Sequence, residues 1–185
     1  MLLIRPGTHY RNIYLDQQIY FFTSSIVGYL PIIAEENMKR LVLKAWSTYR
    51  DKYQVLIHAY VIMPENFHLI IYAEKAGQIQ SFMQQSLRWS AISLVKEVEG
   101  WKESIREPLL KKFQFYANGK AKYKVWKEQT RGVPLQSDRM LAQRMNYIHE
   151  NPMRRGLVKD PLEYAYSSFR NYQLNDHSIF QVDIL

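Results

Sequence analysis

The sequence predicts an α+β fold, in which an antiparallel, ferredoxin-like sheet is covered by helices. Segments with strand and helix patterns follow one another in the order strand, helix, strand, strand, helix, strand or strands, helix. The two adjacent strand segments are separated only by Pro64-Glu65-Asn66, which is short enough for an antiparallel hairpin. This order is that of the split βαβ arrangement, whose antiparallel sheet buries one face under helices.

The first half of the chain supplies the clearest elements. Residues 18–25 are rich in β-branched and aromatic side chains and predict the first strand. Residues 35–53 carry apolar residues at the spacing of an amphipathic helix: Met38, Leu41, Val42, Ala45 and Trp46. Residues 54–63 and 67–73 predict the two strands of the hairpin, and residues 78–98 predict a second helix.

The second half is punctuated by turn and cap residues. Asn118-Gly119 is a strong turn signal, so residues 111–128 predict a second hairpin. Ser137 predicts the N-cap of a third helix, which runs to about Asn151, before Pro152. A last short helix is predicted over residues 163–172.

Length and composition indicate one domain with one core. The chain has 185 residues, 47% of them hydrophobic, and we expect a single domain over 1–185, with a core at about 18–158 and a C-terminal extension at about 159–185. The net charge of +8 favours a polyanionic partner, nucleic acid before an anionic membrane. The absence of cysteine excludes disulfides, thiolate catalysis and cysteine-based zinc sites. No apolar run suits a signal peptide or a membrane span, so we expect a cytoplasmic protein without a membrane partner.

The strand at 67–73 has the alternation of a metal-binding strand. Asn66 and His68 share one face, because side chains in a strand alternate between faces, while Phe67, Leu69 and Ile71 share the apolar face. Two polar side chains at this spacing can reach one ion, although an amide oxygen suits hard cations such as Mg²⁺ better than Zn²⁺. On this triplet alone, the simpler interpretation is a lone histidine beside the core.

The third helix presents a tyrosine beside its buried stripe. Leu141, Met145 and Ile148 mark that stripe, and Tyr147 lies off it, with Asn151 one turn further on the same face. A phenol hydroxyl is protonated at neutral pH, so a nucleophilic tyrosine needs help, such as a metal ion that polarises the phosphate under attack. From the helix alone, an ordinary half-buried aromatic residue is the simpler interpretation.

Both segments resemble motifs of one family, the single-tyrosine HUH transposases, and within it the REP-associated tyrosine transposases. The strand motif of that family has the form V-x-M-P-N/E-H-x-H-L, and here it is Val61-Ile62-Met63-Pro64-Glu65-Asn66-Phe67-His68-Leu69. The tyrosine motif has the form Y-I-H-x-N-P-V-R-x-G-L-V, and here it is Tyr147-Ile148-His149-Glu150-Asn151-Pro152-Met153-Arg154-Arg155-Gly156-Leu157-Val158. Weaker similarities are Tyr20-Phe21-Phe22-Thr23, Val125-Trp126-Lys127-Glu128 and Tyr164-Ala165-Tyr166-Ser167-Ser168-Phe169-Arg170-Asn171-Tyr172.

The resemblance implies a ferredoxin-like core with its nucleophile on a C-terminal helix, a divalent metal (Mg²⁺ or Mn²⁺) and no nucleotide cofactor. It implies that Tyr147 attacks single-stranded DNA and becomes linked to the 5′ phosphate, and that rejoining reverses this step in transposition or in the processing of repeat hairpins. It assigns His68 as a metal ligand, with Asn66 in place of the family's other histidine and Asn151 in the place of a third ligand. The departure at Asn66 leaves a second interpretation open: a single-stranded or hairpin DNA-binding protein of the same lineage whose catalysis is weakened.

A basic and aromatic segment is the candidate DNA-binding surface. No acidic residue occurs from Lys111 through Lys127, and aromatic residues lie between the lysines. Lysines can contact phosphates while aromatic rings stack on unpaired bases. The candidate DNA contacts are Lys111, Lys112, Lys120, Lys122, Lys124, Lys127, Trp126, Arg154 and Arg155. The expected partner is single-stranded or hairpin DNA, and a homodimer is possible.

Overall fold

A computed structural model describes residues 14–119, 121–127 and 132–185. The strands are β1 (Gln18–Ser25), β2 (Leu56–Ile62), β3 (Asn66–Ala73) and β4 (Val133–Pro134). The helices are α1 (Glu36–Tyr53), α2 (Ala76–Glu99), α3 (Glu103–Ala117), α4 (Asp138–Arg154) and α5 (Phe169–Leu174). Short 3₁₀ turns lie at Val27–Tyr29, Ile32–Ala34 and Pro161–Glu163. In the described part of the chain, no helix is long and apolar enough to span a membrane.

The sheet has the strand order β2-β3-β1-β4 and is antiparallel throughout. In the β2–β3 hairpin, the backbone N–H of Met63 donates to the carbonyl of Asn66 at 2.8 Å, so Pro64 and Glu65 form the tight connection. The predicted α+β, ferredoxin-like fold with covering helices is therefore confirmed.

One face of the sheet packs on α1 and α2 and forms the main core. Phe67, Leu69 and Ile71 of β3 are all buried on this face, as the alternation predicts. Trp46 of α1 contacts Phe67 edge-on, with ring centroids 5.1 Å apart. Burial of a large aromatic side chain contributes about 2–3 kcal/mol, so this face supplies most of the apolar stabilisation.

The other face of the sheet is covered by α4. Ile148 packs with Phe21, Val61 and Ile70 in a smaller apolar cluster on this face. The helix begins where predicted, because the Ser137 side chain accepts a hydrogen bond from the backbone N–H of Met140. It continues past Asn151 to Arg154; Ile148, His149, Asn151 and Pro152 are buried, while Met153 and Arg154 are exposed.

The predicted hairpin over residues 111–128 is wrong in its first part. Residues up to Ala117 belong to α3, which buries Leu109, Leu110, Phe113 and Ala117 at helical spacing. Asn118 has a left-handed backbone (φ 49°), and its N–H bonds to the carbonyl of Phe115. Asn-Gly favours positive φ at the end of a helix as much as in a hairpin turn, so the same dipeptide ends α3 instead.

The C-terminal segment covers the outer edge of β2. The N–H of Ile62 donates to the carbonyl of Tyr166, and the N–H groups of Ser168 and Asp183 donate to the carbonyls of Tyr60 and Ile57. These bonds satisfy a strand edge that would otherwise be open to another chain. In place of the predicted helix over residues 163–172, a 3₁₀ turn at Pro161–Glu163 is followed by turns with an isolated bridge at Ser167, and then by α5.

His149 makes folding stability depend on pH. Its Nε2 lies 2.9 Å from the Ser168 hydroxyl, and burial lowers its pKa from 6.5 to about 4. The unfolded chain therefore binds more protons between these values, so stability is lost as the pH falls from about 6.5 to about 4. We expect the fall in unfolding free energy between pH 7 and pH 4, measured by denaturant titration, to be smaller by about 2 kcal/mol in His149→Gln. An equal fall in parent and variant would show that His149 does not titrate in this way.

Candidate active site

Tyr147 and His68, which lie far apart in the sequence, meet between α4 and β3. The Tyr147 hydroxyl is 3.5 Å from His68 Nε2, and the ring centroids are 5.1 Å apart in an edge-on contact. Tyr147 is half-buried, because α4 turns Ile148 into the apolar cluster and leaves its neighbour at the margin. The structure thus brings together the two side chains that the motifs single out.

The orientation of His68 is set by β1. Thr23 pairs with His68 across the two strands, and its hydroxyl lies 2.7 Å from His68 Nδ1. Phe21 stacks on the imidazole, with ring centroids 5.6 Å apart and planes 13° apart. The tautomer with its proton on Nδ1 donates to Thr23 and directs the Nε2 lone pair towards Tyr147. A second hydrogen bond of this kind is what holds a ligating histidine in place.

His68 is neutral at physiological pH. Burial lowers its pKa to about 4, and the nearby Arg144 guanidinium lowers it further. Desolvation disfavours the imidazolium, and a neighbouring cation does so as well. A neutral imidazole can accept a hydrogen bond or bind a metal ion, so His68 is ready for either role.

Arg144 adds a positive charge that the sequence reasoning missed. It lies three residues before Tyr147 on α4, and its guanidinium sits 4.8 Å from the ring centroid of Phe21. Residues three apart share a helix face, so the spacing to Tyr147 was the available signal. A guanidinium can hold phosphate oxygens through two parallel hydrogen bonds.

Asn66 has a buried oxygen without a partner. Among the described residues, its Oδ1 is one of few buried polar side-chain atoms that make no hydrogen bond. Such an atom costs about 1–3 kcal/mol, which suggests a ligand rather than a structural role. Asn151 is 8% exposed, one turn beyond Tyr147, and no hydrogen bond joins its side chain to Asn66 or His68 in the described structure.

Of the three predicted metal ligands, Asn66 and His68 share one face of β3, and no hydrogen bond in the described structure places Asn151 beside them. Across the described ranges, no group of three or more histidine, cysteine, aspartate or glutamate side chains could hold a metal ion. The available donors are the His68 imidazole and the amide oxygens of Asn66 and Asn151, all neutral. A divalent ion held by neutral ligands needs anionic oxygens from elsewhere, and a DNA phosphate supplies them.

Glu65 and Arg155, two other polar residues near β3, already form an ion pair with each other. Glu65 is buried in the β2–β3 connection, and its carboxylate pairs with Arg155 at 2.6 Å. The pair ties the end of α4 to the hairpin. Arg154 pairs with Glu150 one turn earlier and is exposed. The side chains of both predicted DNA-binding arginines are paired yet exposed, 59% for Arg154 and 60% for Arg155, so neither is the more accessible to a phosphate.

The predicted DNA-binding lysines lie in different segments and differ in exposure. Lys111 and Lys112 are exposed on α3, Lys122 is exposed after it, and Lys124 and Lys127 are half-buried. Lys120 lies outside the described residues.

Trp126 does not lie on the surface, contrary to the sequence-based expectation. It is 7% exposed, its ring contacts Phe67, and its indole N–H donates to the Ser90 hydroxyl. The strand pattern of the motif left its face undetermined, and the structure places this ring in the core, where it cannot stack on a base.

Comparison with known proteins identifies the fold of this chain. No protein-family model and no curated protein matches the sequence. A solved structure, the REP associates tyrosine transposase bound to a REP hairpin, is similar with a TM-score of 0.63 over 96% of this chain and 93% of that chain, at 18% identity. This chain has the fold of a REP-associated tyrosine transposase. The crystal structure of a putative transposase from Deinococcus radiodurans R1 matches 80% of this chain and 97% of that chain, with a TM-score of 0.46 and 16% identity.

The fold comparison supports the resemblance that the motifs carry. It extends over nearly the whole of both chains, including the sheet and the helices on both of its faces. The fold that the REP-associated tyrosine transposase resemblance implied is thereby confirmed, while the roles of Tyr147, His68, Asn66 and Asn151 stay predictions of the sequence motifs.

Proposed function

We propose that this protein cleaves and rejoins single-stranded DNA through a 5′-phosphotyrosine at Tyr147, in DNA transposition or in the processing of repeat hairpins. The observation that carries the proposal is the meeting of the Tyr147 hydroxyl with His68 Nε2 at 3.5 Å, at the place where the sequence motifs put the nucleophile and a metal ligand. The REP hairpin bound to the structurally similar transposase supports hairpin DNA as the partner.

In the cleavage step, the Tyr147 oxygen attacks the phosphorus of a phosphodiester. A P–O bond forms to Tyr147 as the bond to the 3′ oxygen breaks; the phenol proton passes to water, and the leaving 3′ oxygen takes a proton from water. Rejoining is the reverse, in which a 3′ hydroxyl attacks the phosphotyrosine and the strand is restored without a nucleotide cofactor.

The side chains around Tyr147 have separate tasks in this step. His68 accepts the hydroxyl hydrogen bond and holds Tyr147, and Thr23 fixes the imidazole. Arg144 offers positive charge to the phosphate as negative charge develops on its oxygens. When bound, a divalent cation held by His68, Asn66 and Asn151 would take the Nε2 lone pair of His68 in place of the Tyr147 hydrogen bond and would polarise the phosphodiester.

Asn66, which stands where the family motif has a histidine, favours a second candidate function. Neutral ligands alone hold Mg²⁺ or Mn²⁺ weakly, so a protein of this lineage could keep DNA binding while its cleavage is weakened. The two functions differ in a single observable, which is the covalent product.

Incubation of the full chain with end-labelled hairpin and single-stranded DNA, with Mg²⁺ or Mn²⁺, tests the proposal. We expect a labelled adduct that survives denaturation and is removed by a protease. Binding without any adduct would assign the second function, and neither binding nor adduct would refute both.

A further inference from the structure

A strained turn that follows the end of β1 presents an exposed tyrosine. Gly28 and Tyr29 both have left-handed backbones, with φ 64° and φ 53°. Glycine adopts this conformation freely, but a bulky aromatic residue there is an outlier that costs about 1–3 kcal/mol. Tyr29 is 62% exposed, so burial of its ring does not repay the strain.

The surroundings hold this turn in place. A Cβ on Gly28 would lie 2.8 Å from the Tyr116 hydroxyl oxygen, so only glycine lets the Tyr116 ring close over the turn. Lys127 Nζ sits 3.1 Å from the centroid of the Tyr29 ring, a close cation–π contact. A conformation that is costly and yet fixed from two sides indicates a function for the side chain that it exposes.

A basic and aromatic depression adjoins the turn. It has a volume of about 390 Å³ and is lined by Gly28, Leu30, Lys111, Lys112, Phe115 and Tyr116, with no acidic residue among them. Phe115 is 78% exposed, and its ring contacts Tyr116 edge-on. Exposed rings with lysines on either side match a strand of unpaired nucleotides, whose bases stack while its phosphates pair with cations.

Backbone hydrogen bonding and strand pairing connect this turn to the end of β3 that carries Asn66 and His68. The N–H of Lys127 donates to the carbonyl of Ser25 at 2.9 Å, and Ser25 pairs with Asn66 across β1 and β3. The exposed Tyr29 ring therefore stands at the sheet end where Asn66 and His68 begin β3.

We propose that Tyr29, held beside Lys127 on this turn, is a stacking platform for an unpaired nucleotide of the DNA strand that enters the site of Tyr147. The proposal rests on the proposed function and deepens it, since it names the part of the substrate that the surface binds. Inside the paired stem of a hairpin, both faces of each base are already stacked, so the platform favours unpaired over paired nucleotides.

Tyr29→Asn separates this role from folding. Asparagine tolerates the left-handed backbone, so the variant keeps the turn, loses the ring and should unfold at the same or a higher denaturant concentration. Tyr29→Phe keeps the ring. Trp89→Ala is a matched control. Lys44 Nζ of α1 lies 5.9 Å from the centroid of the Trp89 ring of α2, so this pair is another lysine–aromatic contact, away from the turn.

Binding is measured by fluorescence anisotropy, with Tyr147→Phe as the background so that no covalent product forms. The probes are a hairpin with a short unpaired extension at its 5′ or 3′ end and the same hairpin without it. We expect Tyr29→Asn to raise the Kd for the extended hairpin about tenfold and to leave that for the blunt hairpin unchanged. Tyr29→Phe and Trp89→Ala should bind both as the background does.

Equal affinity of Tyr29→Asn and the background for the extended hairpin would overturn the platform. So would an equal loss for both hairpins, or an RNA strand of matching sequence that binds more tightly than the DNA. Dissociation of a dimer by Tyr29→Asn, with DNA affinity unchanged, would assign the surface to a second copy of the chain and refute the proposal. If the background protein binds no DNA at all, the proposed function fails, and the platform fails with it.

Discussion

Tyr147→Phe is expected to abolish the covalent adduct while the protein stays folded and still binds DNA. The change removes the oxygen atom that bonds to phosphorus in the proposed step, and loss of a covalent nucleophile commonly costs a factor on the order of 10⁴ to 10⁶ in rate. The ring itself packs edge-on against Phe21 and His68, and phenylalanine retains both contacts. The hydrogen bond that it loses is long, so the unfolding free energy should change by less than about 1 kcal/mol.

Tyr164→Phe is the matched control for this experiment. The Tyr164 hydroxyl donates to the carbonyl of Ile62 at 2.7 Å, and burial raises its pKa to about 12, so it is poorly suited to attack. Adduct yield should be unchanged in this variant. Mapping of the phosphotyrosine by peptide mass spectrometry to Tyr164 or Tyr166 would contradict the assignment of Tyr147.

The elements with strong hydrophobic patterns were predictable from the sequence. The first strand was expected over residues 18–25 and is observed at Gln18–Ser25, where the consecutive aromatic residues Tyr20, Phe21 and Phe22 are buried on the two faces of the sheet. The helix α3 was not predicted. It contains Pro108, which usually interrupts a helix, and ends at Asn118-Gly119, which equally suits a hairpin. Only the packing of its buried residues decides between these outcomes.

The candidate site was predictable in part, because only some of its residues lie in sequence motifs. His68 and Tyr147 stand out because they lie in motifs. Thr23 and Arg144 act by proximity instead: one lies opposite His68 on the neighbouring strand, and the other lies one turn before Tyr147. The pairing of β1 with β3 and the packing of α4 on the sheet are long-range features that a local pattern does not contain. The same holds for Tyr29, whose strained backbone is visible only in three dimensions.

Asn66→His is expected to strengthen metal binding and cleavage together. Asn66 and His68 lie on the same face of β3, and the Asn66 oxygen is buried without a hydrogen-bond partner in the described structure. An imidazole binds Mn²⁺ better than an amide oxygen does, so a second histidine should lower the Kd for Mn²⁺ by about tenfold. Calorimetric titration with Mn²⁺ measures binding directly, and the adduct assay at limiting Mn²⁺ measures its effect on cleavage. His68→Ala should remove both.

Asn66→Ala distinguishes a ligand from a structural residue. Because its oxygen has no partner, removing it should leave the unfolding free energy unchanged or slightly raised, while Mn²⁺ binding weakens. A marked loss of stability would instead show that Asn66 supports the fold. If the parent cleaves efficiently and Asn66→His slows it, Asn66 is an adapted ligand rather than a weakened one. The neutral donor set would then be tuned to a cation that arrives together with the DNA phosphate, and the protein would be an active nuclease rather than a DNA-binding relative of one.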